Sequence, residues 1–430
     1  MRGFIYFGIM FLAIALVGVL QSWNVAFAIL NLCLISGIMA LGVNIQWGYA
    51  GLFNVGIMGF SALGGATAML IATKPVGEAW SVGGVGVLLS ILVILATIGI
   101  IIFVRRSLSG TLRMWITAGL VIAGYFTARI FFDPATDMIE RVNPAQSGFL
   151  GGLGLPIILA WGVGGIVAAG AAWVVGKVAL GLRSDYLAIA TLGISEIIIA
   201  MLKNEDWLTR GVKNVAGLPR PVPYEVDLIQ STRFQEFAAS WGAETQTAAS
   251  IVVKLSYTGL ILIVLAILMW LSERAIKSPW GRMMRAIRDN RDAASAMGKN
   301  VTARHLQVFI LGSAVCGIGG AMLTTLDGQF TPTSYIPLRY TFLIWVMVIL
   351  GGSGNNWGAV LGGFVIWFVW IQAETWGADL MYYVTYPLPD GNWLKEHLLD
   401  AVAHMRLFLM GLILLVVMRY APRGLLPERS

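Results

Sequence analysis

The sequence predicts an all-α polytopic membrane protein with about 10–12 transmembrane or re-entrant helices. Of its 430 residues, 58% are hydrophobic and only 12% are charged, and the mean hydropathy is +0.79. A soluble protein of this size would carry about 25% charged residues. Apolar runs of about 17–25 residues recur along the chain, and each can cross a hydrocarbon core roughly 30 Å thick. The runs are continuous, whereas the strands of a membrane β-barrel alternate apolar and polar residues.

The apolar runs define twelve candidate spans. They lie at about 4–20, 25–46, 52–73, 83–104, 112–131, 153–176, 186–202, 251–272, 305–326, 338–352, 357–373 and 405–419. The first is interpreted as a retained span, because no clear small-residue cleavage site follows it. The glycine-rich residues 351–356 and 48–51 are typical of broken or re-entrant helices. The expected number of crossings is therefore ten to twelve.

The basic residues predict the orientation of the chain. Lysine and arginine are concentrated in short connections between spans, which the positive-inside rule assigns to the cytoplasm. Both termini and the charged segment 281–301 are then expected on that side. The connections expected to face outward are 132–152, 203–250, 327–337 and 374–404. We expect a single transmembrane domain over residues 1–430, and a short helix at 234–241 within the largest outward loop.

Several classes of site lack support in the sequence. The two cysteines, Cys33 and Cys316, lie in apolar segments, so neither a disulfide framework nor a paired-cysteine metal site is expected. The three histidines, His305, His397 and His404, are scattered and form no zinc-binding motif. The net charge of +7 follows from the loops between spans, so nucleic acid is not an expected partner. We expect no catalytic residues, no metal and no cofactor.

The chain also lacks a nucleotide-binding loop. The nearest match, Gly176-Lys177-Val178, has valine where the phosphate-binding pattern has serine or threonine. Ala171 stands where the first glycine of that pattern would be. The protein is therefore expected not to be an enzyme, and a step driven by ATP would need a partner.

The segment 281–301 is the longest strongly charged part of the chain. Its residues Met284, Ile287, Arg291, Ala294 and Met297 follow a spacing of three to four, which predicts an amphipathic helix with a narrow apolar stripe. The residues predicted for the other face are Arg285, Arg288, Asp289 and Asp292. Gly298 is expected to end this helix. Two interpretations stay open from composition, a helix that rests on lipid head groups and a helix that docks on a protein.

Polar residues inside the apolar runs are candidates for a translocation path. Glu196 lies about 11 residues into the run that begins at Asp185, roughly 16 Å deep, where a carboxylate is costly unless it is paired or faces water. It is either a path residue or a hydrogen-bonding group between helices. Asn44, Gln46 and Asn54 flank the stretch 48–51, where they either line a path or satisfy the broken backbone.

The glycine content suggests close packing of helices. Glycine accounts for 51 residues, and many glycines lie inside apolar runs. Small residues let membrane helices approach one another closely. The glycines to which we assign this packing role are Gly162, Gly164, Gly165, Gly170, Gly362 and Gly363.

Several motifs together resemble one family. Asp292-Ala293-Ala294-Ser295-Ala296-Met297-Gly298 has the form of the EAA-x-x-x-G signature of membrane subunits in ATP-binding-cassette importers, with Asp in place of Glu. The other matching segments begin at Leu41-Gly42-Val43-Asn44, Gly48-Tyr49-Ala50-Gly51, Asp185-Tyr186-Leu187-Ala188, Leu350-Gly351-Gly352-Ser353-Gly354 and Pro422-Arg423-Gly424-Leu425-Leu426. In this order they closely resemble the branched-chain amino acid permease family, specifically its M-type subunit, over roughly residues 25–430.

The resemblance implies a permease subunit of an importer in the bacterial inner (plasma) membrane. Such a subunit passes a small amino acid, branched-chain or otherwise hydrophobic, into the cytoplasm. Its implied partners are a second homologous permease, two cytoplasmic ATP-binding subunits, a periplasmic substrate-binding protein and the lipid bilayer. In this family the segment that corresponds to 281–301 is a cytoplasmic coupling helix that docks on the ATPase, and the outward loop 203–250 is then a periplasmic loop. The residues thereby assigned to coupling are Arg285, Arg288, Asp289, Asp292, Ala293, Ala294 and Gly298.

Two alternatives stay open. The chain has Ile57-Met58 where the family commonly has a histidine followed by a small residue, and its stretches 74–150 and 203–250 are longer than usual. These departures leave open a urea or short-amide permease of the same family. An ion-coupled secondary transporter is a further alternative, although Glu196 is its clearest candidate for a coupling charge.

Overall fold

The computed structural model describes residues 2–143, 147–389 and 392–428, and most of them are α-helical. The helices up to residue 209 are α1 (Arg2–Leu20), α2 (Trp23–Val43), α3 (Ile57–Ala72), α4 (Gly77–Ala79), α5 (Val85–Ser107), α6 (Gly110–Arg141), α7 (Ile157–Ala179), α8 (Ser184–Asn204) and α9 (Asp206–Thr209). The helices that follow are α10 (Glu225–Gln230), α11 (Thr232–Ser240), α12 (Thr245–Lys277), α13 (Pro279–Asp289), α14 (Arg291–Ala296), α15 (Val301–Asp327), α16 (Pro337–Gly351), α17 (Asn356–Thr385), α18 (Trp393–Asp400) and α19 (Met405–Tyr420). Two short strands, β1 (Val215–Ala216) and β2 (Gln329–Phe330), pair antiparallel.

The all-α polytopic prediction is confirmed. Within the described residues, ten helices are long and apolar enough to cross a membrane, and α3 and α16 are shorter apolar helices. Each of the twelve predicted spans coincides with one of these helices. The two shorter helices are those next to the glycine-rich stretches, since each is interrupted there.

The break near residues 48–51 lies a few residues later than predicted. A π-helical turn, Asn44–Gly48, continues α2, and the helical conformation persists to Ala50. The backbone is then non-helical from 51 to 56, where Gly51 takes a φ of +67°. Glycine adopts this left-handed conformation without the steric cost that a side chain would add.

The core of the bundle surrounds α15. This helix packs against α7, α3 and α2, and α2 packs in turn against α17 and α12. Small residues allow the close approach. A Cβ on Gly64 would overlap the carbonyl oxygen of Gly317, and a Cβ on Gly320 would overlap that of Ser61. This packing agrees with the expectation that small residues line contacts between membrane helices.

The helices α5 and α6 form a peripheral hairpin. They pack mainly against each other, and most of their remaining surface is exposed. The helix α6 continues to Arg141, well beyond the predicted span at 112–131. Hydropathy identifies only the apolar part of a helix. The polar part of α6 is supported by a side-chain ion pair one helical turn apart, between Arg129 and Asp133 at 2.9 Å.

The connections between helices gather at two ends of the bundle. At the end that carries α14, which we call the α14 end, Leu425 and Leu426 donate their amides to the carbonyls of Leu350 and Gly351 at 2.8 and 2.9 Å. At the other end, which we call the β end, β1 pairs with β2 and Leu150 donates to the carbonyl of Trp207 at 2.9 Å. Parts of the connections 132–152, 203–250 and 327–337 therefore share one end, as the predicted topology requires.

Candidate functional site

The charged segment folds as two helices, so the prediction of a single helix was wrong. The helix α13 ends at Asp289, and α14 begins after Asn290, whose φ of −152° interrupts the helical path. The side chain of Asn290 accepts a hydrogen bond from the amide of Ala293 at 2.9 Å and so caps α14. Gly298 follows α14 with a φ of +76°, and there the chain turns away as predicted.

The break divides the predicted apolar stripe. Met284 and Ile287 are buried beneath α13, whereas Arg291 is exposed and Met297 is 79% exposed on the far side of the break. Ala294 is half-buried. The apolar contact of the segment with the bundle is therefore made mainly by α13.

The helix α14 is almost fully exposed at its end of the bundle. The described residues leave Asp292, Ala293, Ser295 and Ala296 uncovered, and Asp289 before the break is exposed as well. Both flanks of α14 are fixed, since Asn290 caps its start and Asn300 caps α15 through the amide of Ala303 at 3.0 Å. A short helix with fixed ends and small side chains can seat closely in a complementary groove.

Three of the predicted coupling residues have side-chain partners inside the chain, and one of these contacts joins Arg288 Nε to the exposed carboxylate of Asp289 at 3.2 Å. Arg288 Nη1 lies 2.9 Å from Glu428 Oε2 and donates a hydrogen bond to the carbonyl of Gly48 at 2.5 Å. Arg285 Nη1 lies 4.0 Å from Glu428 Oε1. We call Arg285, Arg288, Glu428 and Gly48 the α13 clamp. It joins α13 to the C-terminal tail and to the end of α2, so these arginines are less available to a partner than Asp292 or Ala293.

A second polar group supports the turn between α16 and α17. Asn44 donates to Asn356 Oδ1 at 3.0 Å and accepts the amide of Gly354 at 2.8 Å. The Tyr49 hydroxyl also donates to Asn356 Oδ1, and Asn356 donates to Glu273 at 3.0 Å. Three separate parts of the chain, at 44–49, 273 and 354–356, thus meet beside the α13 clamp.

The polar groups of Gln46 and Asn54 also form hydrogen bonds within the chain. Gln46 donates to the carbonyl of Phe309 at 2.9 Å and to the hydroxyl of Ser313 at 3.0 Å. Asn54 donates to Gln46 Oε1 at 2.8 Å and accepts the amide of Gly56 at 2.9 Å. With Asn44, these side chains are almost fully buried. Their geometry favours the interpretation that they satisfy a broken backbone over the interpretation that they line a path.

Glu196 lies on the outer surface of the bundle. It is about 18 Å along α8 from Ser184 and about 12 Å from Asn204, at 1.5 Å per residue. Its side chain is exposed, and the described residues provide it with neither a hydrogen bond nor an ion pair. Gly193 and Ala200 are exposed on the same helix face. The interpretation as a hydrogen bond between helices of this chain is therefore not supported.

A cavity of about 310 Å³ opens toward the β end. The helices α2, α3, α15, α16 and α17 contribute its walls, which are mainly apolar. The polar residues that line it are Ser36, Thr324, Asp327, Gln329, Thr331, Ser334 and Tyr335. Burial raises the pKa of Tyr335, whose hydroxyl is paired with that of Thr324 at 2.9 Å.

Sequence reasoning missed this cavity. None of Asn44, Gln46, Asn54 or Glu196 lines it. The available signal was Asp327, a carboxylate at the end of a long apolar run and directly before Gly328. The residues that form the opposite wall are too distant in sequence to be found from one chain.

The described residues contain no group of three or more His, Cys, Asp or Glu side chains that could hold a metal ion. Cys33 and Cys316 are both buried and free.

Three known proteins similar to this chain are named as transport permease proteins. The high-affinity branched-chain amino acid transport system permease protein LivM of Salmonella typhimurium is 27% identical over 61% of this chain, and that of Escherichia coli is 26% identical over 62%. The matched region spans only 56% of the length of each. A protein of Methanocaldococcus jannaschii, named probable branched-chain amino acid transport permease protein LivM, is 24% identical over 91% of this chain and 90% of its own length.

No solved structure is significantly similar to this chain. The family described as branched-chain amino acid transport system / permease component matches residues 135–418, which is well over half of the chain. With ten membrane-length helices among its described residues, the chain is a multi-pass membrane protein that belongs to this permease family.

Proposed function

We propose that this chain is the membrane-spanning permease subunit of an ATP-binding-cassette importer that passes a small hydrophobic amino acid into the cytoplasm. In this proposal two separate ATP-binding subunits supply the energy, and a second homologous permease completes the membrane unit. A periplasmic substrate-binding protein delivers the amino acid at the β end. The three LivM proteins named above are described as branched-chain amino acid permeases, which supports this class of substrate.

The exposed helix α14 is the observation that carries the proposal. Its cap at Asn290, its small residues and the turn at Gly298 give it a fixed shape, and Met297 is 79% exposed beside it. The exposure of such a helix to water does not stabilise the subunit alone. A groove on an ATPase would bury the helix. We therefore assign docking to Asp289, Asp292, Ala293, Ala294 and Gly298.

We assign a different part of the coupling to Arg285 and Arg288. When the ATPases close on ATP, docked α14 would move with them, and α13 would follow across the break at Asn290. The α13 clamp would pass this movement to Gly48 at the end of α2 and to the C-terminal tail. Rocking of the helices around the path would then open the site to one side at a time.

The charge distribution supports the orientation of the importer. Basic side chains in the short connections favour a cytoplasmic α14 end under the positive-inside rule. The β end would then face the periplasm with the 203–250 loop, including α10 and α11. A binding protein that docks there would find its receptor surface in this loop and in the segment around β2.

Substitution of Ala293 by Arg tests the docking role. A long charged side chain on the small face of α14 should prevent close seating, so the ATPase that co-purifies with the permease should fall at least about tenfold. Uptake of the amino acid by cells should be lost to the same degree. Membrane insertion should be unchanged, because Ala293 is exposed. Gly298→Asp should act in the same way by straining the turn at φ +76°.

The matched control is Ala243→Arg, an exposed alanine in the connection between α11 and α12 at the β end. It should leave ATPase co-purification unchanged. Normal uptake in Ala293→Arg would remove the coupling role from α14. Transport that persists without any ATPase and collapses with the proton gradient would instead support a secondary transporter.

A further inference from the structure

We propose that the cavity at the β end is a binding site for a small amino acid with an apolar side chain, with Asp327 as the partner of its ammonium group. The inference rests on the proposed function, since it names the residues that receive the amino acid from the outer side. It concerns a cavity inside this one subunit.

The shape of the cavity limits the ligand. Its volume of about 310 Å³ is at the low end of the range for small-molecule sites, roughly 300–1,000 Å³. Leu32, Ile35, Leu343 and Ile344 form apolar walls. Met39 lines the cavity about 24 Å along α2 from Trp23, so the space extends well into the bundle. Such a pocket favours a short aliphatic side chain over a charged one.

Three polar groups that line the cavity have no partner among the described residues. Asp327 is exposed and makes no hydrogen bond or ion pair with the described residues. The Oγ1 atom of Thr331 and the Nε1 atom of Trp367 also line the cavity, and both are buried without a hydrogen-bond partner in the described structure. Buried polar atoms are rarely left unpaired in folded proteins. One acidic group and two neutral groups are therefore available to a bound molecule.

A basic residue close to Gly328, outside the set of residues that line the cavity, favours a zwitterion over a simple amine. Arg220 reaches from the 203–250 loop toward Gly328, the neighbour of Asp327. Its Nη2 atom lies 3.7 Å from the position that a Cβ would take on Gly328. Arg220 has no ion pair with the described residues. Arg220 and Asp327 form no ion pair with each other, so each can bind one end of an amino acid. The guanidinium would bind the carboxylate of the ligand, and the Asp327 carboxylate would bind its ammonium group.

Binding of L-leucine to the full chain in lipid nanodiscs tests the inference. Saturation-transfer NMR detects weak binding through the methyl groups of leucine. Asp327→Asn should weaken leucine binding about tenfold or more, because a charge-assisted contact is lost. Asp327→Glu should retain most of the affinity. Isopentylamine, which lacks only the carboxylate of leucine, should bind more weakly than leucine, and Arg220→Gln should remove that difference.

The control is Asp379→Asn, an exposed aspartate on α17 that does not line the cavity. It should leave leucine binding unchanged. Equal leucine affinity in the wild type and Asp327→Asn would overturn the inference, as would the absence of any leucine binding by the folded wild type. An unchanged thermal midpoint for Asp327→Asn shows that the variant is folded. If Asp327→Asn unfolds, loss of leucine binding in folded Asp327→Glu would also overturn the inference.

This outcome is separable from the proposed function. Asp327 lies at the opposite end of α15 from α14, so Asp327→Asn should co-purify with the ATPase as the wild type does. If the ATPase binds but leucine does not, only the inference about the cavity fails. If no ATPase binds the wild type, the proposed function fails whatever the leucine result.

Discussion

Individual residues show why a break in a helix needs distant partners. Asn44, Gln46 and Asn54 stand close together in sequence, yet Gln46 is satisfied by Phe309 and Asn44 by Asn356. A buried polar group without a partner costs about 1–3 kcal/mol, so each of these contacts matters for stability. The residue types at a break can be recognised from sequence. The residues that satisfy them cannot, since they arrive from other helices.

At the same scale, Arg288 should contribute more to stability than an ordinary surface ion pair. Arg288→Gln would leave the Gly48 carbonyl and Glu428 without their partner in a half-buried site. We expect the free energy of unfolding to fall by about 1–3 kcal/mol, measured by unfolding in mixed SDS and detergent micelles. Glu428→Gln should cost less, since Arg288 would keep its bond to Gly48.

Lys277→Gln is the matched control for Arg288→Gln. Lys277 pairs with Glu273 at 3.1 Å, but its side chain is 75% exposed. Exposed ion pairs contribute little, so the change should stay within about 0.5 kcal/mol. Equal effects of Arg288→Gln and Lys277→Gln would contradict the structural role of the α13 clamp.

Among the elements, α16 and α17 form a closely packed hairpin beside the candidate site. They are joined by residues 352–355 and approach one another through glycines. A Cβ on Gly362 would overlap the carbonyl oxygen of Met347, and one on Gly351 would overlap that of Gly358. The hairpin also holds Asn356 in the polar group beside the α13 clamp. Its close packing therefore positions the end of the bundle from which α14 extends.

The predicted packing role of the glycines applies to only some of them. Gly164, Gly165, Gly362 and Gly363 lie against neighbouring helices. Gly162 and Gly170 have open space around the position of a Cβ, so for them the prediction was wrong. Sequence alone gives each glycine the same apolar setting. The difference depends on which face of the helix meets a neighbour.

Gly362→Ala and Gly170→Ala form a matched pair of substitutions inside helices. Gly362→Ala should force α16 and α17 apart and lower the free energy of unfolding by about 1–3 kcal/mol. Gly170→Ala should be neutral or stabilise the protein by up to about 1 kcal/mol, since alanine favours the helix. Thermal unfolding in detergent measures both. A similar loss for the two variants would show that the close approach of α16 and α17 does not determine the effect.

For the whole molecule, the sequence predicted what depends on local pattern. Hydropathy located the twelve apolar helices found among the described residues, and the spacing around Gly298 located the turn after α14. Prediction from the sequence failed where contacts between distant residues determine the structure. The stripe from Met284 to Met297 fits one helix in sequence, but the side chain of Asn290 caps a second helix and divides it. The ion pairs of Arg285 and Arg288 with Glu428 were also not foreseen, because nothing in the sequence indicates that the C-terminal tail returns to α13.

The environment of Glu196 is not explained by contacts within this one chain. Its carboxylate is exposed on the side of α8 at about the middle of the helix. An acidic residue at the centre of a lipid-facing helix costs about 2.5–3.5 kcal/mol. The cost disappears if the surface faces water or a polar group of another chain. The second permease in our proposal would provide this environment, with the path between the two subunits and Glu196 on its wall.

Glu196→Leu distinguishes a path residue from a structural one. Because Glu196 has no partner within the described chain, its replacement should leave the free energy of unfolding unchanged or slightly higher. Uptake should nevertheless fall at least about tenfold, whereas Glu196→Asp should retain part of it, since a carboxylate remains. Glu236→Leu, at an exposed glutamate on α11, should affect neither measurement. A variant Glu196→Leu that loses stability but transports normally would mean that the carboxylate supports the fold. Unchanged stability with lost transport would mean that Glu196 lines the path. The protein would then tolerate the unfavourable free energy of an acid in the membrane because transport needs the carboxylate.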